Sequence, residues 1–468
     1  MEKMSATRSE LPLLRVLGPV ETTTILVGSV IGSGIFLVPN TIAAQVGSFG
    51  LIIAVWLVSG LLTLFGALSY AELGGMIPHA GGQYAYLREA YGKFPAFLFG
   101  WTELLVIKAG SIAAVAVAFA LYAGYFIPES FQPIFHKTVT LNLGFTFAIE
   151  DIGVKLVAIG CIALLSMVNY LGVKLGGWVQ NIFTFLKVAA LAGLIVLTFV
   201  AGHSAPAAFK PLLPAQFSFN LLSAFGVAMV AALWAYDGWN NTTYVAAEVR
   251  QPQRNIPRAL FFGTSLVVII YLAANIAYAY VLPISTIAGS QLVAADAIQT
   301  FLGPIGGALI SAAVMISTFG TVNGMILSGP RVTYAMAQDK IFFKGMGTVH
   351  PRFRTPHISV VVQGIWSALL TLSGRFDQLF TYVVFAAWIF YAMTTSGVLV
   401  LRKKWPHVER PYKTWGYPWI PIAFILVSLL FVINTLITDP RDSLFGLIIV
   451  AFGVPVYLFW NYKSREST

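Results

Sequence analysis

The chain has 468 residues, of which 58% are hydrophobic and 10% are charged, whereas soluble domains carry about 25% charged residues. A soluble fold could not bury so much apolar surface, so the composition excludes a water-soluble protein. The formal net charge of +10 would indicate nucleic acid in a soluble protein. Here basic loops beside a membrane explain the charge, and no nucleic-acid partner is expected.

Long apolar runs indicate membrane-spanning helices. Each run has about 20 residues, the length that crosses roughly 30 Å of hydrocarbon, whereas strands of a membrane barrel would alternate apolar and polar residues. The expected fold is an all-α polytopic membrane protein with twelve transmembrane helices. Helices 1 to 12 are predicted at residues 18–45, 51–77, 93–127, 152–172, 177–201, 218–248, 258–282, 303–337, 357–374, 376–401, 416–437 and 442–462.

The distribution of Lys and Arg orients these helices. With the N-terminus inside, 21 of the 28 Lys and Arg residues lie on the inner side and five on the outer side, while Lys108 and Lys187 lie within helices. The positive-inside rule therefore predicts a multi-pass protein of the cell inner (plasma) membrane, with cytoplasmic termini at 1–17 and 463–468. No cleavable signal is expected, because the polar, basic start precedes an apolar run long enough to stay in the membrane.

Helix 1 contains three glycines in seven residues, Gly28, Gly32 and Gly34. Near mid-membrane each of them weakens a helix by about 1 kcal/mol, which favours a break. Close packing of helices through small residues is an alternative explanation when helix 1 is considered alone.

Helix 6 is interrupted at a matching position. The sequence Trp-Ala-Tyr-Asp-Gly-Trp-Asn-Asn-Thr-Thr places Asp237, a glycine, amides and hydroxyls inside a spanning segment, where charged residues are costly and usually functional. Helices 1 and 6 each begin a five-helix half, at 18–201 and 218–401, with helices 11 and 12 at 416–462 outside both. Paired interruptions of this kind indicate a transporter with inverted repeats.

An unwound stretch frees backbone groups that suit a zwitterion. Amides at the start of a half-helix, here Ser33 and Gly34, suit a carboxylate, and carbonyls that end the preceding half-helix suit an ammonium group. A ligand with both groups on one carbon is an α-amino acid, although such breaks could also serve other solutes. The carbonyls in question belong to Val30, Ile31, Trp234 and Ala235.

Several motifs resemble the amino acid–polyamine–organocation superfamily, and more narrowly the L-type amino acid transporter family and its bacterial serine/threonine exchanger relatives. The motifs are Gly-Ser-Gly-Ile-Phe in helix 1, Trp-Ala-Tyr-Asp-Gly-Trp-Asn in helix 6, Ala-Gly-Gly-Gln-Tyr at 80–84, Gly-Trp-Thr-Glu-Leu-Leu at 100–105, and Asn-Gly followed by Pro-Arg at 323–331. The resemblance covers nearly the whole chain. It implies a LeuT-like five-plus-five inverted repeat with broken helices 1 and 6, two extra helices, alternating access, and sodium-independent exchange of neutral L-amino acids.

The same resemblance implies roles for individual residues. Ile31, Gly32, Ser33 and Gly34 match the segment that binds the substrate's α-groups. Trp234 falls at an aromatic gating position that is commonly Phe in the family. Asp237 stands where bacterial relatives have Asp and animal members have Gly, and Asn323 is a candidate to line the site from helix 8.

Lys187 lies in the middle of helix 5, too deep to reach the membrane surface easily. It is either a structural lysine bonded to carbonyls or, as the resemblance implies, an ammonium that takes the place of a sodium ion. In the second role it would contact carbonyls near Gly28 and a helix 8 hydroxyl, that of Ser317, with Tyr271 a weaker candidate partner. Loss of its proton would allow proton coupling, so a proton-coupled symporter of the same fold is the alternative function.

Other charged residues allow two interpretations. Glu103 and Lys108 are five residues apart in helix 3, whereas intrahelical pairs prefer three or four, so each is expected to pair with another helix or to line the pathway. Glu72 and Glu248 lie near cytoplasmic helix ends and suit either gating or topological salt bridges. The single cysteine, Cys161, is assigned to packing.

Other functional classes are disfavoured. The six histidines are scattered and no HExxH or nucleophile-elbow motif occurs, so an enzyme, a metal site and a cofactor are not expected. A channel would show polar rings or a filter loop instead of a paired break, and it is a remote alternative. Animal members of the family are often linked to a heavy chain through a cysteine after helix 3, but 127–151 contains none, so no covalent heavy-chain subunit is expected.

Overall fold

The computed structural model describes residues 12–142, 146–214, 216, 218–373, 376–438 and 440–466. Among these residues, ten helices are long and apolar enough to cross a membrane, which confirms an all-α polytopic membrane protein. Predicted helices 6 and 9 correspond to shorter apolar helices, so the twelve-helix, five-plus-five arrangement stays a prediction. Parts of the predicted termini and of helix 9, at 1–11, 374 and 467–468, lie outside the described residues.

The observed helices follow the predicted ones, with helices 1, 3, 6, 7 and 8 divided into segments. In chain order they are Pro19–Val30, Gly34–Leu37 and Pro39–Val46 (helix 1), Phe49–Met76 (2), Lys93–Thr102, Glu103–Ile107 and Lys108–Ala123 (3), Ile152–Tyr170 (4), Val173–Ala201 (5), Phe219–Ala235, Asn241–Tyr244 and Ala246–Glu248 (6), Pro252–Arg258, Ala259–Gly263 and Thr264–Val281 (7), Pro304–Ser328 and Pro330–Gln338 (8), His357–Ser373 (9), Phe376–Lys404 (10), Trp419–Thr438 (11) and Pro440–Glu466 (12). Shorter connecting helices are Gly124–Phe126, Glu129–Phe131, Gln132–Phe135, Gln83–Tyr91, Ile284–Gly289, Val293–Leu302 and Lys344–Gly347.

Two local features differ from the sequence prediction. Helix 7, predicted to begin at residue 258, begins at Pro252, so Pro257 lies inside its first segment. Pro252 provides the favoured proline start, and a π turn at Ala259–Gly263 follows. A short antiparallel hairpin, β1 (Val139–Asn142) and β2 (Thr146–Ile149), connects helices 3 and 4. Both strands are rich in β-branched and apolar residues, which favour extended backbone.

Burial distinguishes the centre of the molecule from its periphery. The spans of helices 1 and 3 are 78% buried, whereas that of helix 12 is 17% buried. Helix 1 packs against helices 5 and 8, and helix 3 packs against helices 4 and 8. The broken helix 1 therefore lies at the protein core, away from lipid.

Candidate functional site

Helix 1 is interrupted at the glycine-rich segment. Its first half ends at Val30, and helical backbone resumes at Gly34 and continues through Val38 into Pro39–Val46. Among the bonds formed by the described residues, none is donated by the amides of Gly32, Ser33 or Gly34. The Ser33 hydroxyl is also buried without a hydrogen-bond partner there. The start of the second half-helix thus presents several unpaired donors.

Helix 6 is interrupted at the polar segment. Its first half ends at Ala235, a turn follows, and helix resumes at Asn241. Gly238 within the turn has φ 96°, and a Cβ there would lie 3.1 Å from the Ser29 carbonyl oxygen. Glycine therefore suits both the left-handed backbone and the close approach to helix 1.

The two breaks are in direct contact. A Cβ on Gly34 would lie only 2.7 Å from the Cα of Ala235. The Tyr271 hydroxyl of helix 7 lies 3.0 Å from the Val30 carbonyl oxygen and 2.9 Å from that of Ala235. One side chain thus bridges the carbonyl ends of both half-helices. Tyr271 contacts these carbonyls, whereas the sequence made it a candidate partner of Lys187.

Lys187 is bonded to the helix 1 break from helix 5. Its side chain is buried, and its ammonium donates to the carbonyl oxygens of Gly28 at 2.8 Å, Ile31 at 2.7 Å and Ser317 at 2.6 Å. It also donates to the Thr321 hydroxyl at 3.0 Å. Four oxygens from helices 1 and 8 surround one positive charge, an environment that would equally suit a small cation.

The helix 8 hydroxyl on Lys187 is that of Thr321, which the sequence reasoning missed. The Ser317 hydroxyl instead donates to the Ile31 and Gly32 carbonyl oxygens, at 2.9 and 3.3 Å. The spacing of four residues between Ser317 and Thr321 puts both on one helix face, and this signal could have identified Thr321.

Two other residues singled out in the sequence lie at the margins of this arrangement. Trp234 is 6% exposed and is the penultimate residue in the first half of helix 6. Asn323 donates to the Gly176 carbonyl and the Gln180 side chain, at 3.0 and 2.8 Å, and accepts from Asn169. The structure thus joins Asn323 to helices 4 and 5, and its hydrogen bonds do not reach the helix 1 break.

A polar cluster of helix 3 borders the helix 6 break. Glu103–Ile107 is a π-helix, whose i→i+5 pattern brings the Lys108 ammonium to 3.3 Å from the Glu103 carboxylate. The expectation that this spacing disfavours an intrahelical pair is therefore wrong. Lys108 also donates to the Asn241 side chain at 2.6 Å, and the Tyr391 hydroxyl donates to Asp237 at 2.6 Å.

The ends of helices 1, 6 and 8 are tied together on the face that carries the N-terminal segment. Arg331 and Glu248 are fully buried and form a two-point ion pair at 2.8 and 3.0 Å. The Leu17 amide donates to the Glu248 carbonyl at 2.9 Å, and the Thr242 hydroxyl donates to the Thr22 carbonyl at the same distance. These contacts join helices 1, 6 and 8 on this face.

Glu72 forms the second buried carboxylate pair of this face. Arg402 approaches it at 2.7 Å and Arg410 at 3.2 Å.

In the part of the chain that the structure describes, no group of three or more His, Cys, Asp or Glu residues could hold a metal ion.

Comparison with known proteins gives consistent matches over almost the full length. A family model described as amino acid permease matches residues 17–458. The chain is 34% identical to the mouse b(0,+)-type amino acid transporter 1 over 455 residues, 96% of this chain and 89% of that protein. It is 33% identical to the serine/threonine exchanger SteT of Bacillus subtilis over 460 residues, 97% of this chain and 98% of that protein. It is also 33% identical to the rabbit large neutral amino acids transporter small subunit 2, over 97% of this chain and 82% of that protein.

Proposed function

Because this chain belongs to the amino acid permease family and is a multi-pass membrane transporter of amino acids, we propose that it is a sodium-independent exchanger of neutral L-amino acids. Its proposed place is the cell inner membrane, with both termini cytoplasmic. The excess of Lys and Arg on the face that carries the N-terminal segment supports this orientation.

The observation that carries the proposal is the position of the Lys187 ammonium. Sodium in proteins is held by oxygen ligands, and here the ammonium donates to three carbonyl oxygens and one hydroxyl where helices 1, 5 and 8 meet. A fixed positive charge at this point supplies what a bound cation would supply, namely bonds from helix 8 and helix 5 to the unwound part of helix 1. An exchanger that carries its own cation needs no external sodium.

The substrate's α-groups are proposed to bind where helices 1 and 6 are broken. The unpaired amides of Ser33 and Gly34 and the unpartnered Ser33 hydroxyl suit the carboxylate. The Val30 and Ala235 carbonyls suit the substrate's ammonium group. The Tyr271 hydroxyl lies within hydrogen-bond distance of both carbonyl oxygens and so keeps them close together. Because Gly34 packs on Ala235, a substrate has to enter between them as the half-helices separate, which fits alternating access.

We base the preference for neutral amino acids on the charged residues that lie near the helix 6 break. Asp237, the acidic residue of the break, accepts a hydrogen bond from Tyr391 at 2.6 Å, and the nearby cluster holds the cation Lys108 as well as Glu103. The names of two relatives, a serine/threonine exchanger and a large neutral amino acids transporter subunit, agree with neutral substrates. Because 127–151 contains no cysteine, no covalent heavy-chain subunit is proposed.

Uptake into proteoliposomes tests the proposal. Radiolabelled serine, alanine, leucine and arginine would be supplied with and without unlabelled amino acid inside, and with and without a proton or sodium gradient. We expect uptake of neutral substrates that requires internal amino acid and ignores both gradients. Uptake into empty vesicles driven by a proton gradient would contradict the exchanger and establish the symporter alternative.

A further inference from the structure

A cavity of about 680 Å³ lies on the face that carries the N-terminal segment. It is formed by the start of helix 7, the end of helix 2 and the connection between helices 10 and 11, with Arg254, Arg258, Glu409 and Tyr412 in its lining. The Arg250 amide just before it donates to the Leu17 carbonyl at 2.8 Å, which fixes its side of the molecule. Cavities of this size, roughly 300–1,000 Å³, are typical of sites for small ligands.

Among the residues that the structure describes, the charged groups of this cavity have no ion-pair partner. Arg254 and Arg258 are one helical turn apart and exposed. Among the described residues neither guanidinium forms an ion pair or a side-chain hydrogen bond, whereas Arg331 and Arg402 on the same face are paired with glutamates. Glu409 is likewise exposed without an ion pair there. The cavity thus offers two free guanidinium groups and one free carboxylate.

The cavity lies beside the lipid-facing surface of helix 7. Beyond the two arginines, the apolar side chains of Phe262, Leu266 and Ile269 are 64%, 41% and 64% exposed, as expected for contact with acyl chains. In the chain that follows the lining residue Tyr412, Trp415 and Trp419 are each 75% exposed. Exposed tryptophans of this kind are enriched at the level of lipid head groups, so the cavity lies at the membrane–water interface.

We propose that this cavity binds the head group of a phospholipid that carries both a phosphate and an ammonium, such as phosphatidylethanolamine. Guanidinium groups bind phosphate through paired, charge-assisted hydrogen bonds, which assigns the phosphate to Arg254 and Arg258. Glu409 then accepts the ammonium, and the acyl chains lie along Phe262 and Leu266. The bound lipid joins the start of helix 7 to the connection after helix 10. This inference does not depend on the exchange mechanism.

Lipid binding to the purified full-length chain tests the proposal by native mass spectrometry. The probes are phosphatidylethanolamine, phosphatidylglycerol, phosphatidylcholine and inorganic phosphate. We expect phosphatidylethanolamine to bind best, and R254Q/R258Q to weaken its binding at least tenfold. The control K344Q/K403Q removes the same charge from exposed positions of the same face outside the cavity, and it should bind like the wild type.

The variant E409Q tests the assignment of the ammonium to Glu409. E409Q should abolish the preference for phosphatidylethanolamine over phosphatidylglycerol while both lipids still bind. Equal lipid binding by wild type and R254Q/R258Q, or equal loss in the control, would overturn the proposal, as would inorganic phosphate binding as tightly as the lipid. Serine uptake and the melting temperature of each variant establish that it is folded.

Discussion

The ammonium of Lys187 donates to the carbonyl oxygen of Ile31 across 2.7 Å, which bonds helix 5 directly to the break in helix 1. The same carbonyl oxygen accepts from the hydroxyls of Ser317 and Thr321, at 2.9 and 3.0 Å. Any movement of the unwound segment away from helices 5 and 8 must therefore break bonds to one charged side chain and two hydroxyls.

Lys187→Ala is expected to lower the rate of exchange at least tenfold. A hydrogen bond to a charged group contributes about 1.5–3 kcal/mol, and about 1.4 kcal/mol corresponds to a factor of ten. The variant loses such bonds to Gly28 and Ile31, whose carbonyls shape the break. Homoexchange of serine in proteoliposomes, with the amount of folded protein measured by size-exclusion chromatography, gives the effect per folded molecule.

Lys155→Ala is the matched control for this change. Like Lys187, Lys155 donates to a backbone carbonyl, that of Leu372 at 2.9 Å, but it lies at the start of helix 4, outside the site. It should retain exchange. A parallel loss of folded protein and transport in Lys187→Ala, with unchanged transport per folded molecule, would assign Lys187 a structural role alone.

Gly34→Ala is expected to abolish substrate binding. Its Cβ would lie 2.7 Å from both the Cα and the Cβ of Ala235, a contact that forces the half-helices apart and displaces the unpaired amides beside it. Gly193→Ala in helix 5 is the control, because among the described residues no atom outside the local helix backbone lies within 4 Å of the added Cβ. Substrate-induced thermal stabilisation compares the two variants, and a normal shift with Gly34→Ala would refute the carboxylate site in helix 1.

Tyr271→Phe is expected to raise the KM for serine about fivefold, since one net hydrogen bond contributes about 1 kcal/mol. The ring stays packed against Trp56 and Tyr236, so the variant removes only the hydroxyl that holds the Val30 and Ala235 carbonyls. Tyr278→Phe removes a weaker contact of 3.4 Å to the Ile35 carbonyl and should change KM less. Equal KM values for wild type and Tyr271→Phe would exclude a positioning role for the hydroxyl.

The sequence predicts the membrane class and the location of both breaks, because both depend on composition. Glycines, an aspartate and amides are conspicuous within apolar runs, and the observed interruptions after Val30 and Ala235 fall there. The contacts between side chains are harder to predict from the sequence. Whether the hydroxyl of Ser317 or that of Thr321 accepts from Lys187 depends on the rotation of helix 8, and a pattern of residue types does not determine that rotation.

Departures from regular helix geometry account for the other differences. The pairing of Glu103 with Lys108 requires a π turn, and no feature of the local sequence predicts one. The ion pair of Arg331 with Glu248 joins helices 8 and 6 across 83 residues of sequence, so the sequence could indicate a salt bridge of Glu248 but not its partner. As a polar residue in an apolar helix, Asn323 is a natural candidate for a site residue in the sequence. Its bonds to Gly176 and Gln180 depend on tertiary packing, which the sequence does not show.

The Glu103–Lys108 pair yields a prediction about stability. Lys108→Met removes the only cation within ion-pair distance of the buried Glu103 among the described residues. Breaking a buried pair from one side costs about 3–5 kcal/mol, because the remaining charge is left without compensation, whereas replacing both partners is often nearly neutral. Lys108→Met should therefore lower the melting temperature strongly, and Glu103→Gln/Lys108→Met should recover most of the loss.

The double variant Glu103→Gln/Lys108→Met also distinguishes a role in packing from a role in transport. If the pair serves packing alone, the double variant regains serine exchange along with its melting temperature. If Lys108 orients the helix 6 break through its 2.6 Å bond to Asn241, the double variant recovers stability but exchanges slowly. We expect the second outcome, because Asn241 is the first residue of the resumed helix and Lys108 bonds its side chain. A Lys108→Met variant as stable as the wild type would contradict the assigned ion pair.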